Sequence, residues 1–319
     1  MAHMIDMTGN RANMAFVGDL PWHGLGQELT ADASIETWQK EAGMNWNIME
    51  GPVMYQDVLR GETKTYDDKK VLYRGDTGTA LSVVGSEYNV VQPHEVLEFF
   101  RDLVAQQNMS LDTAGCLFGG RRFWALANTG RVASNEKDTV NGYLLLVTSA
   151  DGTLSTQASF TGVRAVCNNT LTLALNEQND TRIKVSHRRI FDPMMIKENM
   201  GLLDSAWDKF KEDMKLLCNT SISDNAANQT FIKLFSDDEG EISTRAKNRA
   251  EQAFQLYMGN GMGAQESKNT LWGVLNAITE QNQWHNNARS SDTKLWSTWY
   301  GSGAAMNDKA YNMLMAMAA

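Results

Sequence analysis

The sequence predicts an α+β protein: a mixed, largely antiparallel sheet with a crossing helix over residues 1–191, and a helical C-terminal part over residues 192–319. Three observations carry this. Short apolar–polar alternations broken by glycine turns recur between Trp46 and Phe160, the period-2 signature of strands. Asp151-Gly152 stands between two β-prone runs, a strong hairpin signal because both central residues of a type I′ turn need positive φ. Beyond Asp192-Pro193, the residues Met194, Ile196, Met200, Leu203, Trp207, Phe210 and Met214 recur at helical spacing.

In chain order, Leu20-Pro21-Trp22-His23-Gly24-Leu25-Gly26 reads as a loop pinned by Trp22 and Leu25, with His23 structural rather than catalytic. Asp32 to Glu41 is a short helix, capped by Asp32 or Ser34, with Ile35 and Trp38 on its buried side. From Trp46 to Val91 the pattern is a meander of short strands, in which Lys70–Arg74 meets Ala80–Val84 across Gly75–Gly78 and Tyr88–Val91 follows. Pro93 suits a first helical turn, and Val96, Leu97, Phe100, Leu103 and Val104 form the apolar face of a helix reaching about Asn108. Ser110–Cys116 is a strand, Phe118-Gly119-Gly120 a turn, Arg121–Leu126 a strand, and Asn128–Asn141 a polar loop. The hairpin follows, from Tyr143–Val147 into Thr153–Phe160, with uncharged polar residues on one face of its second strand. Gly162 to Leu175 reads as the crossing helix, and Thr181 to Arg189 as a half-buried strand with a basic outer face. In the C-terminal part, helices are expected after Asp192 to about Cys218, then at Ser223–Phe235, Ser243–Met258, Thr270–Trp284 and Asp308–Met317.

Composition sets limits. A chain of 319 residues with 42% hydrophobic and 21% charged residues belongs to the soluble globular class. With no apolar run near 18 residues and no signal-peptide pattern at the start, no membrane partner is expected. Cys116, Cys167 and Cys218 lie far apart, which fits a reducing cytoplasm better than a disulfide framework or zinc ribbon. The net charge of −9 counts against nucleic-acid binding, but its distribution does not. Residues 1–114 carry 8 basic and 17 acidic side chains and residues 192–319 carry 12 and 16, whereas residues 115–191 carry 9 basic against 5 acidic. A basic centre in an acidic shell suits an anionic ligand held in one groove.

Arg121 and Arg122 beside Phe123 and Trp124, on a strand leaving a glycine turn, are residue types that meet phosphates and unstacked bases together. Arg164, Lys184, Arg188 and Arg189 extend the basic set, and Phe160 is a further candidate for stacking. The alternative for each is ordinary: aromatics in the core and arginines in water. The chain holds no phosphate-binding glycine loop, dinucleotide fingerprint, His-Glu-x-x-His or Gly-x-Ser-x-Gly. Five dispersed histidines give no local metal site and no cofactor is implied. A Cys167 nucleophile with His187 as base would make the chain a cysteine-dependent hydrolase or transferase, although Cys167 stands in an apolar pattern that favours an inert thiol.

The segments Met1-Ala2-His3 with Pro21–Gly26, Val90–Val104, Gly119–Arg122, Val163–Leu171 and Asn269–Glu280 together resemble the phage/plasmid-like protein family of unknown function. The resemblance implies a phage- or plasmid-encoded protein of the bacterial cytoplasm and brings no catalytic residues. The layout helix, strand, glycine turn, strand, hairpin, crossing helix resembles the β-β-β-α core of ring-forming single-strand annealing proteins. That resemblance implies a non-enzymatic DNA recombination protein that binds and anneals single-stranded DNA as a homo-oligomeric ring or filament, with a phage exonuclease as a further partner. A protein that binds and blocks a host defence factor is the other non-enzymatic reading.

Overall fold

The computed structural model describes residues 6–18, 25–107, 109–164, 170–172, 183–198, 200–236, 243–286 and 291–319. Four short strands come first, β1 (Met7–Thr8), β2 (Arg11–Ala12), β3 (Met14–Phe16) and β4 (Gln27–Glu28), followed by α1 (Ile35–Glu41). Ser34 caps α1 by accepting the Thr37 N–H, and Ile35 and Trp38 are its buried side, as the spacing predicts.

β5 (Ile48–Asp57), β6 (Glu62–Arg74) and β7 (Ala80–Gly85) make a three-stranded antiparallel sheet, with Leu72 opposite Ser82 across the expected glycine turn. β7 pairs only with Lys69–Tyr73, so the outer halves of β5 and β6 continue past it as a two-stranded ribbon. Tyr88–Val91 is not a strand: the Asn89 N–H is used by the His187 carbonyl at 2.6 Å instead of a ladder.

α2 (Pro93–Gln107) leads into β8 (Ser110–Leu117), β9 (Arg122–Ser134), β10 (Thr139–Ser149), β11 (Thr156–Arg164), β12 (Thr170–Thr172) and β13 (Ile183–Val185). Among the described residues the large sheet runs β12-β11-β10-β9-β8-β3-β4, with β13 also on β11; β3 and β4 are parallel and its other pairs antiparallel.

Three expectations are corrected here. Most of Asn128–Asn141 is strand, because Val132 and Ala133 pair with Asn141 and Val140 and leave only residues 135–138 as a turn. The β10–β11 hairpin exists, but its loop spans residues 150–155. Gly152 alone takes positive φ there (72°), while the Asp151 carboxylate caps the Thr153 N–H. Gly162 to Leu175 is not a helix in its described parts: Gly162–Arg164 lies in β11 and Thr170–Thr172 in β12, hydrogen-bonded to each other. The β-branched Val163, Thr170 and Thr172 fit that pleat. The helices that pack on the sheet include α2, against β8–β10, and α4 (Met200–Asn219), against β11.

The C-terminal part contains α3 (Pro193–Glu198), α4 (Met200–Asn219), α5 (Asp224–Phe235), α6 (Thr244–Gln255), α7 (Ala264–Ser267), α8 (Leu271–Glu280), α9 (Ser291–Tyr300) and α10 (Ser302–Ala318). Ser223, Ser243 and Thr270 accept first-turn N–H groups and start α5, α6 and α8 at the expected places. α6 and α8 each end in a π-turn, Leu256–Asn260 and Gln281–His285.

Both faces of the large sheet are covered. Phe123, Ala125, Leu144 and Leu146 point into a core shared with α2, α4, α8 and α10. Their neighbours Trp124, Leu126, Leu145 and Val147 point the other way, into a second cluster with Trp299. The Asp138 carboxylate fastens the β9–β10 turn to α8, accepting from Trp272 Nε1 at 2.8 Å, from Asn276 Nδ2 at 3.3 Å and from the Thr139 N–H at 2.8 Å. One core therefore runs across residue 192. No described helix is long and apolar enough to cross a membrane.

Candidate functional site

The β8–β9 turn is held open by three consecutive residues at positive φ: Phe118 (54°), Gly119 (71°) and Gly120 (86°). Gly120 is required for a second reason, since a Cβ there would stand 2.7 Å from the Trp46 ring. The turn exposes the side chain of Arg121, while its carbonyl accepts the Ala150 N–H at 2.7 Å and so joins the β10–β11 loop.

Arg122 opens β9 opposite Ser149, with its guanidinium 3.8 Å from the Trp296 ring centroid and 4.8 Å from that of Phe118. Its Nη2 donates to Thr153 Oγ1 at 3.1 Å; its buried Nε has no hydrogen-bond partner and lies 3.9 Å from Asp151 Oδ2. Burial pushes the Arg122 pKa down, with Asp151 opposing. Contact with two rings makes this arginine part of the local packing as well as a charge.

The neighbouring segment is fixed by His187. Its Nδ1 lies 3.0 Å from the Asn89 carbonyl and its Nε2 3.0 Å from the Leu154 carbonyl, and its ring stacks on Tyr88 at 4.4 Å and 19°. Tyr88 in turn donates to the Ser149 carbonyl at 2.7 Å, and burial raises the phenol's pKa. Desolvation lowers the His187 pKa, opposed by the two carbonyls and Asp151. A cleft of about 550 Å³ opens beside this pair, lined by Asp68, Glu87, Tyr88, Leu154, Ser186 and Arg188 among others. Arg188 and Arg189 are exposed just past the histidine, and Lys184 is exposed on β13 opposite Gln157.

Arg121, Arg122, Lys184, Arg188 and Arg189 thus arrive from two separate segments at the same end of the large sheet, around the 150–155 loop. The rest of the expected site is placed elsewhere. Arg164 pairs with Val140 at the far end of β11, eight residues from Thr156 or roughly 26 Å along a strand at about 3.3 Å per residue. Its side chain, His23 and Cys167 lie outside what is described.

Phe123, Trp124 and Phe160 are 1%, 0% and 3% exposed, and none offers a face to a base. Phe123 packs on Trp46, Trp124 on Trp299 and Phe160 on Trp207. Both faces of the sheet are covered, so neither member of the Phe-Trp pair reaches solvent. The aromatics that do meet the basic turn are Phe118 and Trp296, both partly exposed. Trp296, Trp299 and Tyr300 recur at helical spacing, a signal that could have found the second of these. Among the described residues no group of three or more His, Cys, Asp or Glu is arranged to hold a metal ion.

Residues 80–299 match a family described as Domain of unknown function (DUF932). No curated protein and no solved structure matches the chain.

Proposed function

The chain belongs to the DUF932 family, and we propose that it is a phage- or plasmid-encoded protein of the bacterial cytoplasm that binds single-stranded DNA and anneals complementary strands as an oligomer. The observation that carries this reading is the meeting of Arg121, Arg122, Lys184, Arg188 and Arg189 at one end of the antiparallel sheet. Cations brought together from separate segments can track a phosphate backbone by displacing its counterions, which is the main source of affinity for single strands. Annealing needs no bond-making residue. It needs the backbone held and the bases left free to pair, which the exposed Arg121, Arg188 and Arg189 can do around an Arg122 that is itself packed on Phe118 and Trp296.

The β5–β6 ribbon supports the oligomeric part. Its outer half presents Met54, Tyr55, Val58 and Leu59 to solvent, the last two 85% and 99% exposed. An apolar tip on an extended ribbon suits a head-to-tail contact with the next subunit, and repeated contacts of that kind close a ring or extend a filament.

The test is annealing of two labelled complementary oligonucleotides. The protein is expected to accelerate pairing, and the exposed-site variant R121A/R188A/R189A to lose most of that effect while K69A/K70A keeps it. Equal loss in both variants would show that the sheet end is not the site.

A further inference from the structure

The helical part holds a second cation cluster that the sheet end does not use. Arg245 and Arg249 are four apart on α6, so their side chains share one face, where like charges repel. Among the described residues neither arginine forms an ion pair. The Arg249 guanidinium lies 4.6 Å over the Phe235 ring and donates weakly to Asn282 Oδ1 at 3.4 Å, while its buried Nε has no hydrogen-bond partner. Burial first, and Arg245 second, lowers the Arg249 pKa. A half-buried cation with a silent donor and no ion-pair partner among the described residues is unfavourable, and a ligand carrying negative charge would relieve it.

Both arginines line a cavity of about 370 Å³ at the lower end of the size range of small-molecule sites. Asn282 and His285 enter it from the π-turn that ends α8, an irregularity often found at functional sites. Ser302 and Gly303 enter it from the first turn of α10, where the Gly303 N–H is already taken by Ser297 Oγ at 3.0 Å, itself part of the lining. Glu280, at the end of α8, accepts the Met262 N–H at 3.0 Å with one oxygen and lies 3.6 Å from His285 Nε2 with the other. The wall therefore offers two guanidinium groups, an imidazole, the Ser297 and Ser302 hydroxyls and three side-chain amides, and none of its lining residues is acidic.

We infer that this cavity binds a phosphoryl-type oxyanion, a phosphate or phosphate monoester gripped by Arg245 and Arg249 and oriented by His285. Guanidinium forks match the oxygens of a phosphoryl group, and the unused Arg249 Nε gains its missing acceptor. The site does not depend on the DNA-binding reading, since it lies on α6, the π-turn and α10 rather than at the sheet end.

The test uses the full chain in inorganic phosphate or pyrophosphate against chloride at matched ionic strength, followed by thermal melting and calorimetry. A saturable rise in melting temperature is expected in phosphate and pyrophosphate, with affinity reduced about ten- to a hundredfold in R249M and R245Q. R249M keeps an apolar chain over Phe235 and should melt in chloride no lower than the unsubstituted protein. If it does not fold, R245Q, at an exposed position, carries the test alone. Competition by a 5′-phosphorylated oligonucleotide but not by its unphosphorylated twin would assign the source to a nucleic-acid end, and no competition by either would assign it to a free phosphate compound. A shift no larger than in chloride, or one unchanged in R245Q, would overturn the site.

Discussion

Replacing Trp124 by alanine separates a core role from a DNA-contacting one. The indole is fully buried between Trp299, at 5.9 Å, and Gly115, where a Cβ would stand 2.4 Å from its ring. Its N–H donates to Thr113 Oγ1 at a long 3.4 Å and adds little. The loss is therefore mainly that of a packed aromatic in a closed site, about 3–5 kcal/mol for Trp→Ala in a core. Against a total stability of about 5–15 kcal/mol this leaves a marginal protein. Urea unfolding followed by far-UV circular dichroism reads the change as a lower midpoint, with single-strand affinity retained in the fraction that stays folded. A base-stacking tryptophan would behave in the opposite way, with stability intact and affinity down by about 1–3 kcal/mol per base. Unchanged stability with weakened DNA binding would refute the placement of Trp124 in the core.

Other expectations rest on single contacts. Asp138→Ala strands the Trp272 indole N–H and the Asn276 amide in the interior, at about 1–3 kcal/mol for each group left unpaired, and should lower one cooperative transition rather than split it; an unchanged melting temperature would contradict the fastening of α8 to the β9–β10 turn. His187 has a folded pKa below its ordinary 6.5, so the unfolded chain binds the extra proton first. Stability should accordingly be full above that value and fall as pH drops through it, and the fall should be smaller in His187→Gln; stability rising toward pH 5 would mean that the two carbonyls outweigh burial. Light scattering should show a high-mass species that V58S/L59S reduces, and a strict monomer with and without DNA would count against the oligomer.

What the sequence disclosed, and what it hid, follows from the range over which each signal acts. Caps and local periodicity were legible: Ser34, Pro93, Ser223, Ser243 and Thr270 mark helix starts because their chemistry acts within one turn. The glycine turns at 75–78 and 119–120 were legible for the same reason. The helical reading fails at Gly162–Arg164 and Thr170–Thr172 because Val163, Val166, Thr170 and Leu173 satisfy a helical stripe in sequence, while the strand partners that decide the matter, Asn141 for Val163 and Val163 for Thr170, lie elsewhere in the chain. The misplaced aromatics have a similar origin. A strand covered on both faces buries both members of a Phe-Trp pair, and that covering comes from residues as distant as Trp46 and Trp299. Arg245 and Arg249 carry no local signal, since the cavity beside them is closed only by residues from the π-turn after α8 and from α10.

The central claim is tested most directly by binding a labelled single-stranded oligonucleotide at several salt concentrations. The protein is expected to bind at low salt, with log affinity falling linearly against log salt by about 0.7 unit per phosphate contact, and Arg121→Ala should reduce that slope by about one contact's worth for every sequence alike. No detectable binding near about 50 mM salt at micromolar protein, where contacts of this kind are least screened, would contradict it.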